Sequence, residues 1–506
     1  MAMTTQGSDF VASFEARLAA DGDAVALIDR ARRATWRELD ALSRRHAEHL
    51  ARHGVVAGER VAVMAGASIE LVAALLAHLR LGVVHVPVNH RYRPDEVDYI
   101  VAHSGARLLV TDLGHLAEEP APRSTRADGA DPDAAAWRAT APEADALALI
   151  VYTSGTTGRP KGVMLSHRAL AANLGAMMAL WQVDARDVLS LALPLFHVHG
   201  LGLGVLGALL LAHATIRLHA RFEPAAIVAD FAAAEGPATV FMGVPTMYHG
   251  LLEHLGNDPS AAAVLARARL FTAGSAALSA SCFERFRAAT GHAILERYGM
   301  TETGFTLSNP YRGERRPGTV GLPVPGVALR LDDPDRAADP AGETGEIEVR
   351  GEGLMDGYWQ DDAATRAAFR DGWFRTGDVA ARDADGYFRI VGRASTDIIK
   401  SGGFKIGARE IEDVLRLDAR LGEVAVLGVP DPKWGEVVVA VVAAAPGATL
   451  PSEDALLAEL QALADQHLAD YKQPRRVRIA AELPKNAMGK VQKTLLRALF
   501  QADARG

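Results

Sequence analysis

Cysteine is almost absent from the sequence, since Cys282 is the only one among 506 residues. A lone thiol excludes an internal disulfide framework and is typical of proteins in a reducing compartment. The first ten residues, MAMTTQGSDF, contain no basic segment followed by an apolar core, so the sequence predicts no secretory signal peptide. Together these absences predict a cytoplasmic location.

The sequence also lacks an excess of positive charge and a long apolar segment. Lys and Arg number 54 against 62 Asp and Glu, which gives a net charge of −8 and no reason to expect a basic surface for nucleic acid or an acidic membrane. The longest apolar run, residues 201–213, contains three glycines and is too short to cross a bilayer. We therefore expect neither a nucleic-acid partner nor a membrane partner.

The chain is too long for one hydrophobic core, so we expect at least two domains. Strand and helix patterns alternate over residues 60–111 and 188–298, which favours an α/β protein whose mixed sheets are covered by helices. From Arg316 onward, short alternating strands with Gly and Pro indicate a β-rich subdomain. The strand–helix alternation returns after Arg393, and we place a domain boundary at residues 394–397.

The most informative stretch is VYTSGTTGRPKGVMLS, residues 151–166. An apolar strand pattern breaks there into a segment rich in Thr, Ser and Gly, a lysine follows, and a helical pattern resumes after Ser166. Glycines let the backbone turn tightly toward a ligand, and hydroxyls and a lysine add donors suited to a polyphosphate. Pro160 stands where the P-loop motif requires glycine, so the stretch is not a P-loop. On composition alone, a flexible surface loop is the alternative.

Two further glycine-containing turns follow predicted strands, at Gly274–Leu278 and Gly299–Thr303. Ligands of open α/β sheets bind at the carboxyl ends of the strands, so we expect these turns to converge on one crevice. Glu302 is a lone carboxylate in the second turn, which suits a Mg²⁺ ion that takes its other ligands from phosphate and water. Asp378 can accept both ribose hydroxyls. A surface glutamate and a hairpin aspartate are the respective alternatives.

His197 and His199 lie in the segment PLFHVHG. A metal site is one interpretation, but no cysteine or carboxylate cluster accompanies the two histidines, and we do not favour it. The sequence contains no convincing Ser-His-Asp or Cys-His arrangement. Catalysis by a protein nucleophile is therefore not expected.

Residues 153–162, TSGTTGRPKG, closely resemble the signature of the adenylate-forming superfamily of acyl-CoA synthetases, peptide-synthetase adenylation domains and firefly-type luciferases. The resemblance extends over essentially the whole chain. It is closest to the malonyl- and methylmalonyl-CoA synthetases, through the phrases PLFHVHGLGLG, GVPTMYH, ARLFTAGSAAL, ERYGMTET and IKSGGFKIG.

The resemblance implies a large N-terminal ATP- and acyl-binding domain (residues 1–393), a hinge (394–397) and a small, mobile α+β C-terminal domain (398–506). It also implies the activity. A carboxylate attacks the α-phosphorus of ATP, pyrophosphate leaves, and the thiol of CoA then displaces AMP from the acyl-adenylate. ATP, Mg²⁺ and CoA are the expected cofactors and co-substrates, and a small-molecule carboxylate is the expected acid.

The roles of individual residues also follow from the resemblance. The implied catalytic residues are Lys490, Glu302, Thr156 and His197, of which Glu302 and Thr156 hold Mg²⁺. The implied nucleotide-binding residues are Thr153, Ser154, Gly155, Thr156, Thr157, Gly158, Lys161, Gly274, Ser275, Glu296, Arg297, Tyr298, Gly299, Met300, Thr301, Asp378 and Arg393. The implied acyl-binding residues are His197, His199, Gly250, Ser275 and Met300. The implied CoA-binding residues are Ser401, Gly402, Gly403 and Lys405.

Lys490 ends a PxxxxGK element that begins at Pro484, and in the family this lysine stabilises charge on the transferred phosphate. Acylation would remove its charge, which makes a lysine acetyltransferase and a deacetylase candidate partners. At the pivot the family usually has Asp or Lys two residues after the arginine, whereas this chain has Ser395. The hinge is therefore assigned by its place in the sequence.

One departure concerns the acid itself. In the malonyl-CoA synthetases an arginine follows the Met-Tyr-His segment and pairs with the distal carboxylate, but Gly250 occupies that position here. Arg269, His249, His197 or Ser275 could replace it. Otherwise Gly250 leaves a wider, uncharged pocket for a neutral short- or medium-chain or aromatic acid. A non-catalytic acyl-nucleotide binding protein and an adenylation domain that serves a carrier protein are further alternatives.

Overall fold

The computed structural model describes residues 10–116, 142–153, 159–332, 343–393, 397–401, 404–431, 433–485 and 491–503. The α-helices are α1 (Phe10–Asp21), α2 (Trp36–Arg52), α3 (Ile69–Leu81), α4 (Pro94–Ser104), α5 (His167–Trp181), α6 (Pro224–Ala232), α7 (Pro245–Asn257), α8 (Pro259–Leu265), α9 (Ala280–Thr290), α10 (Asp362–Ala368), α11 (Ala408–Leu415), α12 (Glu453–Asp465) and α13 (Lys493–Asp503). A π-helix spans His199–Leu211, and 3₁₀ turns span Gly114–Leu116 and Asp470–Lys472.

The strands up to residue 332 are β1 (Val25–Asp29), β2 (Arg32–Thr35), β3 (Arg60–Val63), β4 (Val84–Pro87), β5 (Leu108–Val110), β6 (Leu147–Thr153), β7 (Lys161–Ser166), β8 (Val188–Leu191), β9 (Thr215–Leu218), β10 (Val240–Gly243), β11 (Leu270–Ala273), β12 (Leu295–Met300), β13 (Gly304–Ser308), β14 (Leu322–Pro323) and β15 (Val327–Asp332). The later strands are β16 (Glu343–Gly351), β17 (Gly357–Tyr358), β18 (Phe369–Arg370), β19 (Trp373–Arg382), β20 (Phe388–Arg393), β21 (Ile398–Ser401), β22 (Phe404–Gly407), β23 (Leu421–Asp431), β24 (Gly435–Ala444) and β25 (Arg476–Ile479).

The chain divides into two compact units. The first unit comprises residues 1–328 and 349–374, and the second comprises residues 329–348 and 375–506. Between β20 and β21 the chain passes from one sheet to another. Of the predicted hinge, residues 394–396 lie outside the described residues, so the boundary at 394–397 stays a prediction.

Two mixed sheets form the first unit. One has the strand order β14-β13-β12-β11-β10-β8-β9-β1-β2, and its central strands run parallel from β1 through β12. The other has the order β17-β7-β6-β4-β3-β5, with β7 and β17 antiparallel to their neighbours. The predicted α/β fold with helix-covered mixed sheets is confirmed.

Helix α3 lies in the core of the first unit, against β1 of one sheet and β4 of the other. Its residues from Ile69 to Arg80 are all buried, which is typical of a helix that is apolar on every side. The Ser68 hydroxyl accepts a hydrogen bond from the Leu71 N–H at its start, and Gly82 ends it in the left-handed conformation. These local signals fix the helix bounds, and packing between two sheets stabilises it.

Two other sheets complete the described fold. One has the order β15-β16-β19-β18, with β20 paired to β19, and the other has the order β22-β21-β24-β23, with β25 paired to β24. Helices α11 and α12 pack with strands β23 and β25 of the last sheet. This sheet and its helices are the small α+β C-terminal domain that the sequence predicts.

Two details of the first unit were not predicted from the sequence. Strand β7 lies between the predicted phosphate loop and helix α5. Most of the long apolar run lies in the π-helix, whose glycines permit close packing: a Cβ on Gly204 would lie 2.5 Å from Leu191. Among the described residues, no helix combines the length and apolar character that a membrane span needs.

Three buried histidines form a hydrogen-bonded chain across the first unit. His46 Nε2 lies 3.2 Å from His78 Nε2, and His78 Nδ1 lies 2.9 Å from His85 Nδ1. Each neutral ring has one N–H, so both hydrogen bonds must run in the same direction along the chain. Burial lowers the pKa of His78 well below its usual range and that of His85 to about 3. The folded protein therefore holds the rings of His78 and His85 neutral.

We expect this chain to make the protein sensitive to acid. In the unfolded chain His85 takes up a proton below about pH 6.5, whereas in the folded protein it does so only near pH 3. Stability is therefore lost as the pH falls from about 6.5 toward 3, by about 2 kcal/mol between pH 7 and pH 5 for one such ring. Replacing His85 by Gln, which does not titrate, should reduce this pH dependence.

Urea unfolding of the wild type and of His85→Gln at pH 7, 6 and 5 measures the effect. The exposed His467→Gln is the matched control for the chemical change. Parallel pH dependence in the wild type and His85→Gln would contradict the interpretation.

Candidate active site

The predicted phosphate loop connects β6 and β7, which form an antiparallel hairpin. Thr153, at the end of β6, pairs with Lys161, at the start of β7. The intervening Ser154, Gly155, Thr156, Thr157 and Gly158 lie outside the described residues, so their nucleotide and metal roles stay predictions. The hairpin brings the two ends of the loop together and fixes the place of Lys161.

Lys161 lies beside a residue that the sequence analysis did not identify. Its Nζ is 4.8 Å from the centre of the Tyr358 ring, a distance that allows a cation–π interaction. The hydroxyl of Tyr358 donates a hydrogen bond to Glu302 Oε1 over 3.1 Å. The predicted phosphate lysine and the predicted metal carboxylate thus contact the same tyrosine.

Glu302 follows β12, in the turn that connects it to β13. Glu302, Thr301 and Thr303 are buried, and the Thr303 N–H donates to the carbonyl of Met300. The donor set at this turn consists of oxygen atoms, with one carboxylate, and this suits the Mg²⁺ of a nucleotide, which keeps phosphate and water ligands. Among the described residues there is no group of three or more His, Cys, Asp or Glu that could hold a metal alone.

The buried side chain of Glu296 has a positioning role. Its carboxylate accepts hydrogen bonds from the N–H groups of Leu278 and Gly318, and it therefore fixes the end of the Gly274–Leu278 turn. Tyr298, Gly299 and Met300 continue β12 and are partly exposed. The structure thus brings the Gly274–Leu278 and Gly299–Thr303 turns together at neighbouring strand ends, and the nucleotide roles of their residues stay predictions.

Arg297 is buried, with 4% of its surface exposed. Its Cζ lies 4.6 Å from the centre of the Phe305 ring, and its Nε and Nη2 have no hydrogen-bond partner among the described residues. A Cβ on Gly274 would lie 2.5 Å from the guanidinium carbon, so only glycine permits this approach. Burial lowers the pKa of Arg297 to about 9, which leaves it charged at neutral pH.

The two predicted histidines lie close to this arginine. His199 Nδ1 is 2.9 Å from the hydroxyl of Ser275, and the backbone N–H of His199 donates to His197 Nδ1 over 3.2 Å. In the neutral ring of His197 the proton is therefore on Nε2. Ser275 has a φ of 67°, a strained value for a residue with a side chain.

Burial and the charge of Arg297 lower the pKa of His197 to about 4 and that of His199 well below its usual range. Both rings are neutral at physiological pH. Gly274, Ser275, His197, His199 and Arg297, which we call the arginine–histidine cluster, thus combine one cation with neutral donors and acceptors. From the sequence, Arg297 is expected to contact the nucleotide, and its proximity to the histidines is not apparent there.

The side chain of Phe222 lies beside Gly250. A Cβ on Gly250 would lie 3.0 Å from the ring of Phe222, so an aromatic side chain occupies part of the space that the sequence analysis expected to be open. Arg269 is paired with Asp187 over 2.7 Å, at the opposite end of β11 from Gly274. His249 is exposed. Of the residues proposed as replacements, only His197 and Ser275 lie in the arginine–histidine cluster.

In the second unit, β19 and β20 bring Asp378 and Arg393 into register. Arg393 Nε lies 2.8 Å from Asp378 Oδ1, and its Nη1 donates to the carbonyl of Thr376. Asp378, predicted to bind ribose, and Arg393, predicted to bind the nucleotide, thus form an ion pair. The ribose contact itself stays a prediction.

The predicted CoA segment is only partly described. Ser401 is buried at the end of β21, whereas Gly402, Gly403, the side chain of Lys405 and the whole of Lys490 lie outside the described residues. Lys493, three residues after Lys490, lies 2.8 Å from Asp397 and 2.7 Å from Glu412. These ion pairs connect the start of α13 to Asp397, the last residue of the predicted hinge. Modification of Lys490 has no support in the structure.

Family models match most of the chain. The model of the AMP-binding enzyme family matches residues 14–359, and that of the AMP-binding enzyme C-terminal domain matches residues 410–490. The mitochondrial malonate–CoA ligase ACSF3 of Mus musculus is 37% identical to this chain. The alignment covers 97% of this chain and 91% of the mouse protein. A feruloyl-CoA synthase of Amycolatopsis sp is 36% identical and covers 92% of this chain and 94% of its own length.

Solved structures show the same relationship. ATP-bound MatB from Rhodopseudomonas palustris is 36% identical, with a TM-score of 0.85 over 98% of this chain and 99% of that one. A malonyl-CoA ligase in a ternary product complex with methylmalonyl-CoA and AMP is 42% identical, with a TM-score of 0.64 over 92% of this chain and 98% of that one. The resemblance found in the sequence is confirmed: the chain belongs to the AMP-binding enzyme family and is an AMP-forming acid–thiol ligase that uses ATP and CoA.

Proposed function

We propose that the acid is malonate or methylmalonate, which the enzyme converts to the corresponding CoA thioester through an acyl-adenylate. The observation that carries this proposal is the buried guanidinium of Arg297, two of whose nitrogens have no hydrogen-bond partner among the described residues. The names of the mouse ligase and of the methylmalonyl-CoA complex support the same acid.

A dicarboxylic acid brings a second carboxylate into the protein. One carboxylate must reach the α-phosphorus of ATP, and the other becomes buried. Burying this charged group costs desolvation free energy unless a cation and hydrogen-bond donors contact it. Arg297 supplies a cation that is already desolvated. It lies against Gly274, next to Ser275, and its charge acts on His199, which is hydrogen-bonded to Ser275. A neutral acid would leave that guanidinium unpaired.

His197 acts as a hydrogen-bond donor in this proposal. Its Nδ1 already accepts the His199 N–H, and its pKa of about 4 makes it a weak base at neutral pH. The Nε2–H can therefore donate to an oxygen of the acid or of the acyl-adenylate carbonyl, where negative charge develops as the CoA thiol attacks.

At the other end of the acid, Lys161 would contact the phosphates of ATP. Glu302, together with Thr156 as predicted, would hold the Mg²⁺ that accompanies ATP, and this ion supplies neutralisation of the phosphate charge. Asp378 and Arg393 would bind the ribose, and Lys490 would stabilise charge on the α-phosphate. Ser401, Gly402, Gly403 and Lys405 would contact CoA in the second half-reaction.

An aromatic acid is the second candidate. Phe222 lies against Gly250, where the malonyl-CoA synthetases carry an arginine, and an aromatic ring could stack there. The similarity to a feruloyl-CoA synthase favours the same reading. Substrate preference decides between the two acids.

We expect malonate and methylmalonate to be better substrates than butyrate, benzoate and ferulate in an AMP-release assay.

We expect Arg297→Met to lower kcat/KM for malonate about 100-fold, because truncating one partner of a buried charge pair costs about 3 kcal/mol. Its effect on butyrate should be below about tenfold, and Arg297→Lys should retain part of the malonate activity. A wild-type preference for ferulate, or equal losses on malonate and butyrate, would contradict the proposal.

We also expect Gly274→Ala to impair the enzyme, because the new methyl group would lie within 2.5–2.7 Å of the Arg297 guanidinium and would displace it. The malonate kcat/KM should fall at least about tenfold, a loss of about 1.4 kcal/mol in transition-state stabilisation. The matched control is Gly256→Ala in α7, where a Cβ meets nothing within 4 Å. Equal activity of the two variants would show that the Gly274–Arg297 contact is not needed.

A further inference from the structure

We propose that Tyr358 is a positioning residue for the ATP half of the reaction, which holds the metal carboxylate Glu302 and the phosphate lysine Lys161 in a fixed relation. The inference rests on the proposed magnesium role of Glu302. It does not depend on which acid the enzyme uses.

The first observation is that one side chain contacts both groups. Tyr358 has 9% of its surface exposed and Glu302 has 7%. The Tyr358 hydroxyl donates to Glu302 Oε1 over 3.1 Å, and the ring lies 4.8 Å from Lys161 Nζ. A hydrogen bond to a buried carboxylate is charge-assisted and fixes the orientation of its oxygens. The ring face attracts the ammonium without neutralising it.

The second observation is that the backbone around Tyr358 is attached to both sides of the site. We call residues 355–359 the connecting segment. The Met355 N–H donates to the carbonyl of Glu302 over 2.8 Å, and the Trp359 N–H donates to the carbonyl of Gly162 over 2.7 Å. Tyr358 itself pairs with Val163 of β7. The segment therefore connects the turn after β12, in one sheet, to β7, in the other.

This attachment has a consequence for catalysis. Glu302 and Lys161 belong to different sheets, so small movements between the sheets would change the distance between metal and phosphate contacts. Tyr358 is hydrogen-bonded to Glu302 and is paired through its backbone to β7, the strand of Lys161. It therefore restricts the movement of Glu302 relative to Lys161. Partners of metal ligands typically affect metal affinity or activity 10–100-fold.

The test compares metal binding by the full chain with ATP present and with neither acid nor CoA. Binding of Mn²⁺, as a probe for Mg²⁺, is measured by electron paramagnetic resonance. Tyr358→Phe keeps the ring and removes only the hydroxyl, and we expect Mn²⁺ affinity to fall at least about tenfold. In assays, half-saturating Mg²⁺ should rise by a similar factor, while kcat at saturating Mg²⁺ stays within about threefold of the wild type.

The matched control is Trp359→Phe, in the same segment. Its indole N–H donates to the carbonyl of His103 over 3.1 Å, so this variant also loses one hydrogen bond from the segment, but none to Glu302. We expect its Mn²⁺ affinity to stay within about threefold of the wild type. An equal loss in both variants would mean that the segment has merely loosened, and would overturn the proposal, as would normal Mn²⁺ affinity in Tyr358→Phe.

A third variant, Tyr358→Leu, separates the two contacts because it also removes the ring. At saturating Mg²⁺ its KM for ATP should exceed that of Tyr358→Phe by about fivefold, as expected for loss of a cation–π contact. Equal KM values would overturn the Lys161 part of the proposal.

Glu302→Gln tests the proposed magnesium role of Glu302. Unchanged Mn²⁺ affinity in that variant would refute this role. Loss in Glu302→Gln with none in Tyr358→Phe would refute only the role of Tyr358.

Discussion

Burial of charged side chains around the carboxyl end of β12 is the constraint on which the rest of the site depends. Charges in a protein interior are unfavourable unless hydrogen bonds or opposite charges meet them. The Glu296 carboxylate accepts hydrogen bonds from the N–H groups of Leu278 and Gly318, and the Glu302 carboxylate accepts one from the Tyr358 hydroxyl. Arg297 differs from these two, because Phe305 and Gly274 surround it while two of its nitrogens have no hydrogen-bond partner among the described residues. The cluster therefore contains a buried cation whose hydrogen-bonding capacity is not filled by the described residues.

Two chemically different environments lie along β12 and the turn that follows it. On the acyl side, the positive charge of Arg297 and the loss of water keep His197 and His199 neutral, as their lowered pKa values indicate. After the strand, the Glu302 carboxylate accepts a hydrogen bond from Tyr358, whose ring lies 4.8 Å from Lys161 Nζ. In the proposed reaction, Arg297 would orient one carboxylate of a dicarboxylic acid while the other carboxylate approaches the phosphate.

The substitution of Gly250 for the family arginine has a structural counterpart. Phe222 occupies the space beside it, and Arg269 is held by Asp187 at the other end of its strand. The buried cation Arg297 lies on β12, within the phrase ERYGMTET that resembles the malonyl-CoA synthetases. The proposed recognition of a second carboxylate therefore depends on Arg297 and not on a residue of helix α7.

The sequence by itself determined the fold class, the helix after the phosphate loop and the turns at the strand ends, because these depend on glycine positions and apolar spacing within a few residues. Helix α5 begins at His167, directly after Ser166 as predicted. Only the tertiary structure decided which charges are paired. Tyr358 is 56 residues from Glu302, and Arg269 is 82 residues from Asp187. Such contacts depend on how strands and sheets pack, which local residue patterns do not encode.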